Sequence, residues 1–297
     1  MKTSYSVIQE NILKTYILMS IFIGIILLLG YFIAYIYNEP FIFYFALLIG
    51  ILMNFGSYFY GHKIIVKITG AKKITKDDLP TVYRILENLS ITAGLPKTPD
   101  LYIIETPAMN AFATGRDYKN SLVAVTSGLV NNLTEKELEG VIAHELAHIK
   151  NRDITVMMIS SVLMGIIAII ADILLRSGIS SKNDNNKSNA IFFIIGIILI
   201  FLAPIFAQLT HLAISRKREF MADATGILFT RNPEGLASAL EKLSNQKEKL
   251  ETSPAVASLF IINPFKNQKN LISWLGNLFS THPPIEKRIE ILRNMVI

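Results

Sequence analysis

The sequence predicts a mainly α, α+β membrane protein: four transmembrane helices and a cytosolic domain that carries a small β-sheet. Three observations predict it. Of 297 residues 51% are hydrophobic and the mean hydropathy is +0.42, a balance that soluble chains of this length seldom reach. Four apolar runs, at 17–37, 41–60, 154–175 and 190–209, have the length of about 20 residues that crosses a bilayer. The segments between and after them are polar and carry helix and strand periodicities of their own.

The first run (ILMSIFIGIILLLGYFIAYIY) is too long for a signal peptide, lacks a small-x-small cleavage pattern and is followed at once by a second run, so it reads as an uncleaved anchor. Residues 1–60 therefore form an N-terminal membrane hairpin. In 61–153, Asp77–Ala93 is amphipathic, with Leu79, Val82, Ile85, Leu86 and Leu89 on one face. LYIIE and SLVAVTS have strand character around the polar turn GRDYKN. Thr134–Asn151 opens with a capping box, Thr134 and Glu137, and predicts a helix. Residues 154–212 make a second membrane hairpin, its outgoing span kinked at Pro204. In 213–297, SRKREFMADATGILF and PEGLASALEKLSNQ predict helices, and a last helix opens at Pro283-Pro284.

Charge sets the orientation. The turn Asn38-Glu39-Pro40 has no positive residue, whereas Lys63, Lys67, Lys72, Lys73 and Lys76 follow the second span and Arg216, Lys217 and Arg218 follow the fourth. Lys and Arg favour the cytosolic side, which places 61–153 and 213–297 together in the cytosol and leaves 176–189 outside. The net charge of +6 has the same origin. No Arg-rich or aromatic-interleaved groove accompanies it, which excludes nucleic acid as a partner. Cysteine is absent, excluding disulfides and thiolate metal sites, so a metal would be held by His and carboxylate.

AHELAHIKNRD, Ala143 to Asp153, contains two of the five histidines and sits against the third apolar run. His144 and His148 are i and i+4 on one helical face, so both imidazoles can bind one metal ion. Glu145 projects beside them, in reach of a water at that metal. This is the chemistry of a hydrolytic zinc site, with one zinc ion per chain. Glu219 is the expected third ligand. The two crossings between His148 and Glu219 return the chain to the side it left, and Asp223, one turn on, can accept the second ring N–H of a ligand histidine, His144 by preference. If helicity persists from His148 to Ile154, the metal lies about 10 Å from the bilayer edge, at 1.5 Å per residue.

AHELAHIKNRD, SRKREFMADATG and THPPIEKRI, in that order and with two spans between the first pair, resemble the HtpX-type membrane zinc metalloproteases, relatives of the CAAX prenyl endopeptidases. The resemblance covers nearly the whole chain. It implies a zincin-like catalytic domain in the cell membrane, its active site facing the cytosol, with polypeptide substrates that include damaged membrane proteins under stress. It also implies zinc ligands His144, His148 and Glu219 and the catalytic base Glu145. PAMNAFATG resembles the family's edge strand, where Asn110 and Ala111 would meet an extended substrate by strand addition. His282 would approach the metal, with Arg288 assisting at the substrate. One alternative within the class is a prenyl-protein processing protease, for which four spans enclose too small a chamber. Another is a non-catalytic metal-binding scaffold, in which Glu145 would have no task, or a metal transporter, for which the spans offer no matched pair of ionisable residues, only Asp172 and the polar Asn54. Among the remaining polar residues, Asp172 near the far end of the third span is structural, in reach of interfacial water or Arg176, His211 is too far along its helix to share the metal with Glu219, and His62 is interfacial.

Overall fold

A computed structural model describes residues 4–179, 195, 216–265 and 283–295. Most of the fourth apolar run, the expected loop before it from residue 180 on, Pro204, His211 and His282 lie outside the described residues. Helix α1 (Ser4–Tyr37) and helix α2 (Phe41–Thr69) form an antiparallel hairpin through the turn at Asn38. Each is longer than its apolar run: α1 begins well before residue 17, and α2 continues past Tyr60 to Thr69. Small residues let the two approach, and a Cβ at Gly30 would collide with Ala46. Their outer faces expose Tyr31, Phe32, Tyr35, Phe41, Tyr44 and Phe45, an apolar and aromatic surface suited to a bilayer and its interface.

The polar segment continues with strand β1 (Lys72–Lys73), helix α3 (Pro80–Thr92), strands β2 (Asp100–Ile104), β3 (Ala111–Gly115) and β4 (Ser121–Thr126), and helices α4 (Ser127–Asn132) and α5 (Glu135–Lys150). The expected apolar face of α3 is buried at Val82, Ile85, Leu86 and Leu89. At the start of α5 the Glu137 carboxylate accepts the Thr134 backbone N–H at 2.7 Å, as the capping box requires. The sheet order is β1-β2-β4-β3, with β2 and β4 parallel and the outer pairs antiparallel. Its small size matches expectation. The two-residue β1 was not expected, because Lys72-Lys73 carries no strand pattern.

Helix α6 (Asp153–Ile179) follows α5 after a break at Asn151-Arg152, where Arg152 takes the left-handed conformation, φ 61°. Helix α5 thus ends where Thr134–Asn151 was expected to end, and the condition that helicity persist from His148 to Ile154 is not met. Helices α7 (Arg216–Thr230), α8 (Pro233–Asn245) and α9 (Ile285–Arg293), with a 3₁₀ turn at Pro254–Leu259, complete the described chain. Two cores flank the sheet. On one face Leu101, Ala113, Val123 and Val125 pack with Val141, Ile142 and Leu146 of α5 and with Leu236 and Leu240 of α8. On the other, Ile104, Phe112, Leu122 and Ala124 join Met158, Ile159 and Val162 of α6, Phe22 of α1 and Ile65 of α2.

Among the described residues three helices are long and apolar enough to span a membrane: Ile8–Tyr37, Phe41–Thr69 and Asp153–Ile173. They are not equivalent. The apolar windows of the first two are 22% and 17% buried in the protein, whereas that of α6 is 67% buried. Protein rather than lipid covers the start of α6, where Ile154, Val156, Met158 and Ile159 have no exposure. The start of the apolar run at Ile154 therefore does not mark a bilayer edge, and the 10 Å separation expected between site and bilayer has no basis in the structure. Ile195, in the fourth run, is helical and buried in the same cluster as α6.

Candidate metal centre

His144 and His148 occupy successive turns of α5, their rings edge-to-face with centroids 4.7 Å apart. Helix α7 crosses α5 closely because residue 226 is glycine, where a Cβ would lie 3.1 Å from the backbone at Ala143 and His144. Glu219 and Asp223 share that contact face, at i−7 and i−3 from Gly226, and so point at the histidines.

The three residues expected as ligands converge. His144 Nε2 and His148 Nε2 are 3.2 Å apart, His148 Nε2 is 3.4 Å from Glu219 Oε1, and His144 Nε2 is 3.8 Å from Glu219 Oε2. Ligands about 2.0–2.1 Å from a tetrahedral zinc are separated by about 3.3–3.4 Å, so the triangle is close to the right size. The donor chemistry agrees. His144 Nδ1 lies 2.9 Å from Asp223 Oδ1, and His148 Nδ1 lies 3.1 Å from Asp153 Oδ2. Each carboxylate draws the ring proton to Nδ1 and turns the Nε2 lone pair inwards. Once both Nε2 atoms are free of protons, two lone pairs and a carboxylate face one point, a donor set that a cation satisfies.

Ionisation follows from the same contacts. Burial and the nearby Arg288 charge lower His144 to about 4. Burial also opposes charge on His148, but the Asp153 hydrogen bond and the charges of Glu219, Asp153 and Glu145 outweigh it and raise that ring to about 9. In the metal-free protein His148 thus carries the proton that points at neutral His144. Burial lifts Glu145 to about 7, against the pull of His148 and a hydrogen bond from the Ala113 backbone. A carboxyl poised near neutrality suits proton transfer in both directions. Burial raises Asp223 too, but the Arg288 charge and the His144 contact hold it at about 2.

Sequence reading missed two partners. Asp153 belongs to the AHELAHIKNRD stretch, yet its approach to His148 depends on the break at Arg152. Arg218, expected as a flanking charge, is buried and donates to Asp153 Oδ1 at 2.8 Å. Arg288 was expected at the substrate. The structure places it in the interior, donating from Nε and Nη2 to Asp223 at 2.9 and 2.7 Å, with Nη1 3.7 Å from Glu219 Oε2. Its Nη1 also reaches the Ile261 carbonyl at 3.5 Å.

That carbonyl belongs to the segment lying on the edge strand. β3 is the last strand of the sheet, as expected, but its free side is covered. Ile261 N–H donates to Ala111 O at 2.9 Å, and Phe112 and Phe260 form an antiparallel bridge. The Asn110 side chain donates to Ile262 O at 2.9 Å and accepts from Ile262 N–H at 3.4 Å. Asn110 and Ala111 thus hold an extended backbone, but it is the protein's own. His144, Glu145, His148 and Glu219 are all at most 3% exposed, so the site is shut in this conformation. Asp172 accepts from Arg176 at 2.7 Å, as expected.

A buried carboxyl near neutrality beside a convergent His-His-Glu set is equipped to move the protons of a water attacking a carbonyl, so fold and site describe a metallohydrolase carried on apolar helices. The comparisons narrow the class to a membrane metalloprotease. The model of peptidase family M48 matches residues 78–296, and the chain belongs to that family. Relatives named Protease HtpX homolog include one from Dictyoglomus thermophilum, 42% identical over 298 residues, covering 99% of this chain and 95% of the relative. Another, from Tropheryma whipplei, is 43% identical and covers 98% of each. A third, from Thermococcus sibiricus, is 42% identical over 95% of each. A crystal structure of S. mikatae Ste24p matches with a TM-score of 0.51 and 19% identity, over 95% of this chain and 65% of that one, so this chain spans about two thirds of its length. At that identity the likeness is one of fold.

Proposed function

We propose that the protein is a zinc-dependent endopeptidase of the cell membrane, with four crossings, that cuts damaged or misfolded membrane proteins at the cytosolic face. The observation that carries this reading is the convergence of His144 Nε2, His148 Nε2 and a Glu219 oxygen, with both Nδ1 atoms held by aspartates. Support for the membrane setting comes from the lipid-suited faces of α1 and α2 and from the lysines that follow them.

The three side chains would hold one zinc ion, which supplies Lewis acidity to the attacking water and the scissile carbonyl. Glu145 takes the proton of that water on its carboxylate and returns it to the leaving amine, a cycle that its value of about 7 favours. Asp223 and Asp153 keep the imidazoles oriented. The substrate lies extended on β3 where Phe260–Ile262 now lie, its backbone held by Ala111 O and the Asn110 side chain. A carbonyl in the place of Ile261 O would accept from Arg288, so the buried arginine acts from behind that strand. Phe260–Ile262 must leave for a substrate to enter. His282 is proposed near the metal from its motif alone.

The test incubates purified protein in mild detergent with an unfolded polypeptide, with chelator, and with zinc restored. Cleavage should stop and return. Glu145→Gln should retain zinc while losing about 10² to 10⁴ in rate. Cleavage that survives chelation, or near-normal turnover by the zinc-loaded variant, would sink the reading.

A further inference from the structure

Asp153 is held from three sides. Its Oδ2 meets His148 Nδ1 at 3.1 Å, while Oδ1 accepts from Arg218 Nη1 at 2.8 Å and from Asn11 Nδ2 at 2.8 Å. Asn11 lies on α1, 142 residues away in sequence, and is 1% exposed. The same amide donates to the Asn151 carbonyl at 2.7 Å, one of the last backbone acceptors of α5, which the break leaves without a helical partner. Both bonds go to the junction that carries the chain from the histidine helix into α6. Packing does not account for an amide here. Asn11 Oδ1 is buried with no hydrogen-bond partner among the described residues, a cost that an apolar residue of similar size would avoid.

We infer that Asn11 is a positioning residue for the metal centre: it holds Asp153 against His148, so that the first membrane helix completes the site. This rests on His148 being a metal ligand. A carboxylate fixed at both oxygens sets the ring's rotation and keeps its proton on Nδ1, which presents Nε2 to the metal. Arg218 supplies the compensating charge and Asn11 supplies direction. Part of the metal's affinity therefore resides in a helix outside the two polar segments that carry the ligands.

The experiment measures zinc affinity by competition with a chelating dye, on the full chain in detergent. Asn11→Leu should bind zinc about tenfold more weakly, and Asp153→Asn about 10- to 100-fold more weakly. Because Asn11 acts through Asp153, the double variant should be no weaker than Asp153→Asn alone. Cobalt-loaded Asn11→Leu should show shifted ligand-field bands, which a loss of general packing would not produce. Thr15→Val, one turn along the same helix, removes only a bond to Asn11 O and should leave affinity unchanged. If Asn11→Leu is unstable, recorded by its melting in chelator, Asn11→Ser takes its place. Unchanged affinity and cobalt spectrum in the Asn11 variants, or full additivity with Asp153→Asn, would overturn the inference. Failure of the wild type to bind zinc, or wild-type affinity in His148→Ala, would instead overturn the site reading beneath it.

Discussion

Asp223→Ala should do two separable kinds of damage. Asp223 is 1% exposed and joins a fully buried arginine to a histidine, accepting from Arg288 at 2.7 and 2.9 Å and meeting His144 Nδ1 at 2.9 Å. Its removal leaves the guanidinium, among the described residues, with only the longer contacts to Ile261 O at 3.5 Å and Glu219 Oε2 at 3.7 Å for oxygen partners. Breaking one side of a buried pair costs about 3–5 kcal/mol, a large part of the 5–15 kcal/mol that typically separates folded from unfolded protein. Adding Arg288→Leu removes the stranded charge, and most of that loss should return. Zinc affinity should behave differently. Both the single and the double variant lack the acceptor that orients His144, so each should bind about 10- to 100-fold more weakly than wild type. Denaturant unfolding of the chelated protein in detergent reads the first effect, and dye competition reads the second. The reasoning fails if Asp223→Ala unfolds like wild type, or if the double variant regains zinc affinity along with stability.

Metal affinity should rise with pH. His148 must lose its proton to bind, and its metal-free value of about 9 means one proton leaves per zinc below that pH, so affinity should climb about tenfold per unit from pH 7 to 9 and then level off. A flat profile would contradict the assignment. The covered edge can be locked, because the chain has no cysteine of its own. In Ala111→Cys/Ile261→Cys, opposite positions of an antiparallel pair, cleavage should be lost on oxidation and restored by a reductant; full activity while locked would show that the segment need not leave. Single cysteines at Lys72 and at Glu248 should both resist a membrane-impermeant reagent applied to intact cells, and ready labelling of Lys72 would reverse the orientation.

The convergence of His144, His148 and Glu219 was legible because a four-residue spacing fixes one helix face, and the two crossings expected between His148 and Glu219 would return the chain to its side. Asp223 was legible for the same reason. Asp153 was not. Its role needs Arg152 at φ 61°, a conformation that glycine or asparagine would have advertised and arginine does not. The contact of Arg218 with Asp153 was not legible, because basic residues beside an apolar run fit a charge rule equally well whether they face lipid headgroups or a buried carboxylate. Ala111 opens the edge strand and Asn110 stands just before it, but a sequence cannot show which backbone lies on a sheet edge, and here it is the protein's own.

The apolar run of α6 shows the deepest limit. Hydropathy records that a helix avoids water, not whether lipid or protein replaces it. In α6 the same run does both. Its early turns, from Val156 to Leu163, pack under the sheet through Phe112, Leu122 and Ala124, while Ile169 and Ile173 further along remain exposed. Phe22 of α1 and Ile65 of α2 enter that same cluster, so the hairpin expected as a separate membrane unit shares its core with the sheet that carries Asn110 and Ala111. Asp153 stands at the head of α6, between this core and the histidine helix, and takes its partners from α1 and α7. A disturbance of the hairpin therefore reaches His148 through two bonded contacts, Asn11 to Asp153 and Asp153 to the ring. On the proposed reading, that path makes the apolar helices part of the support of the His144–His148–Glu219 set rather than a tether for it.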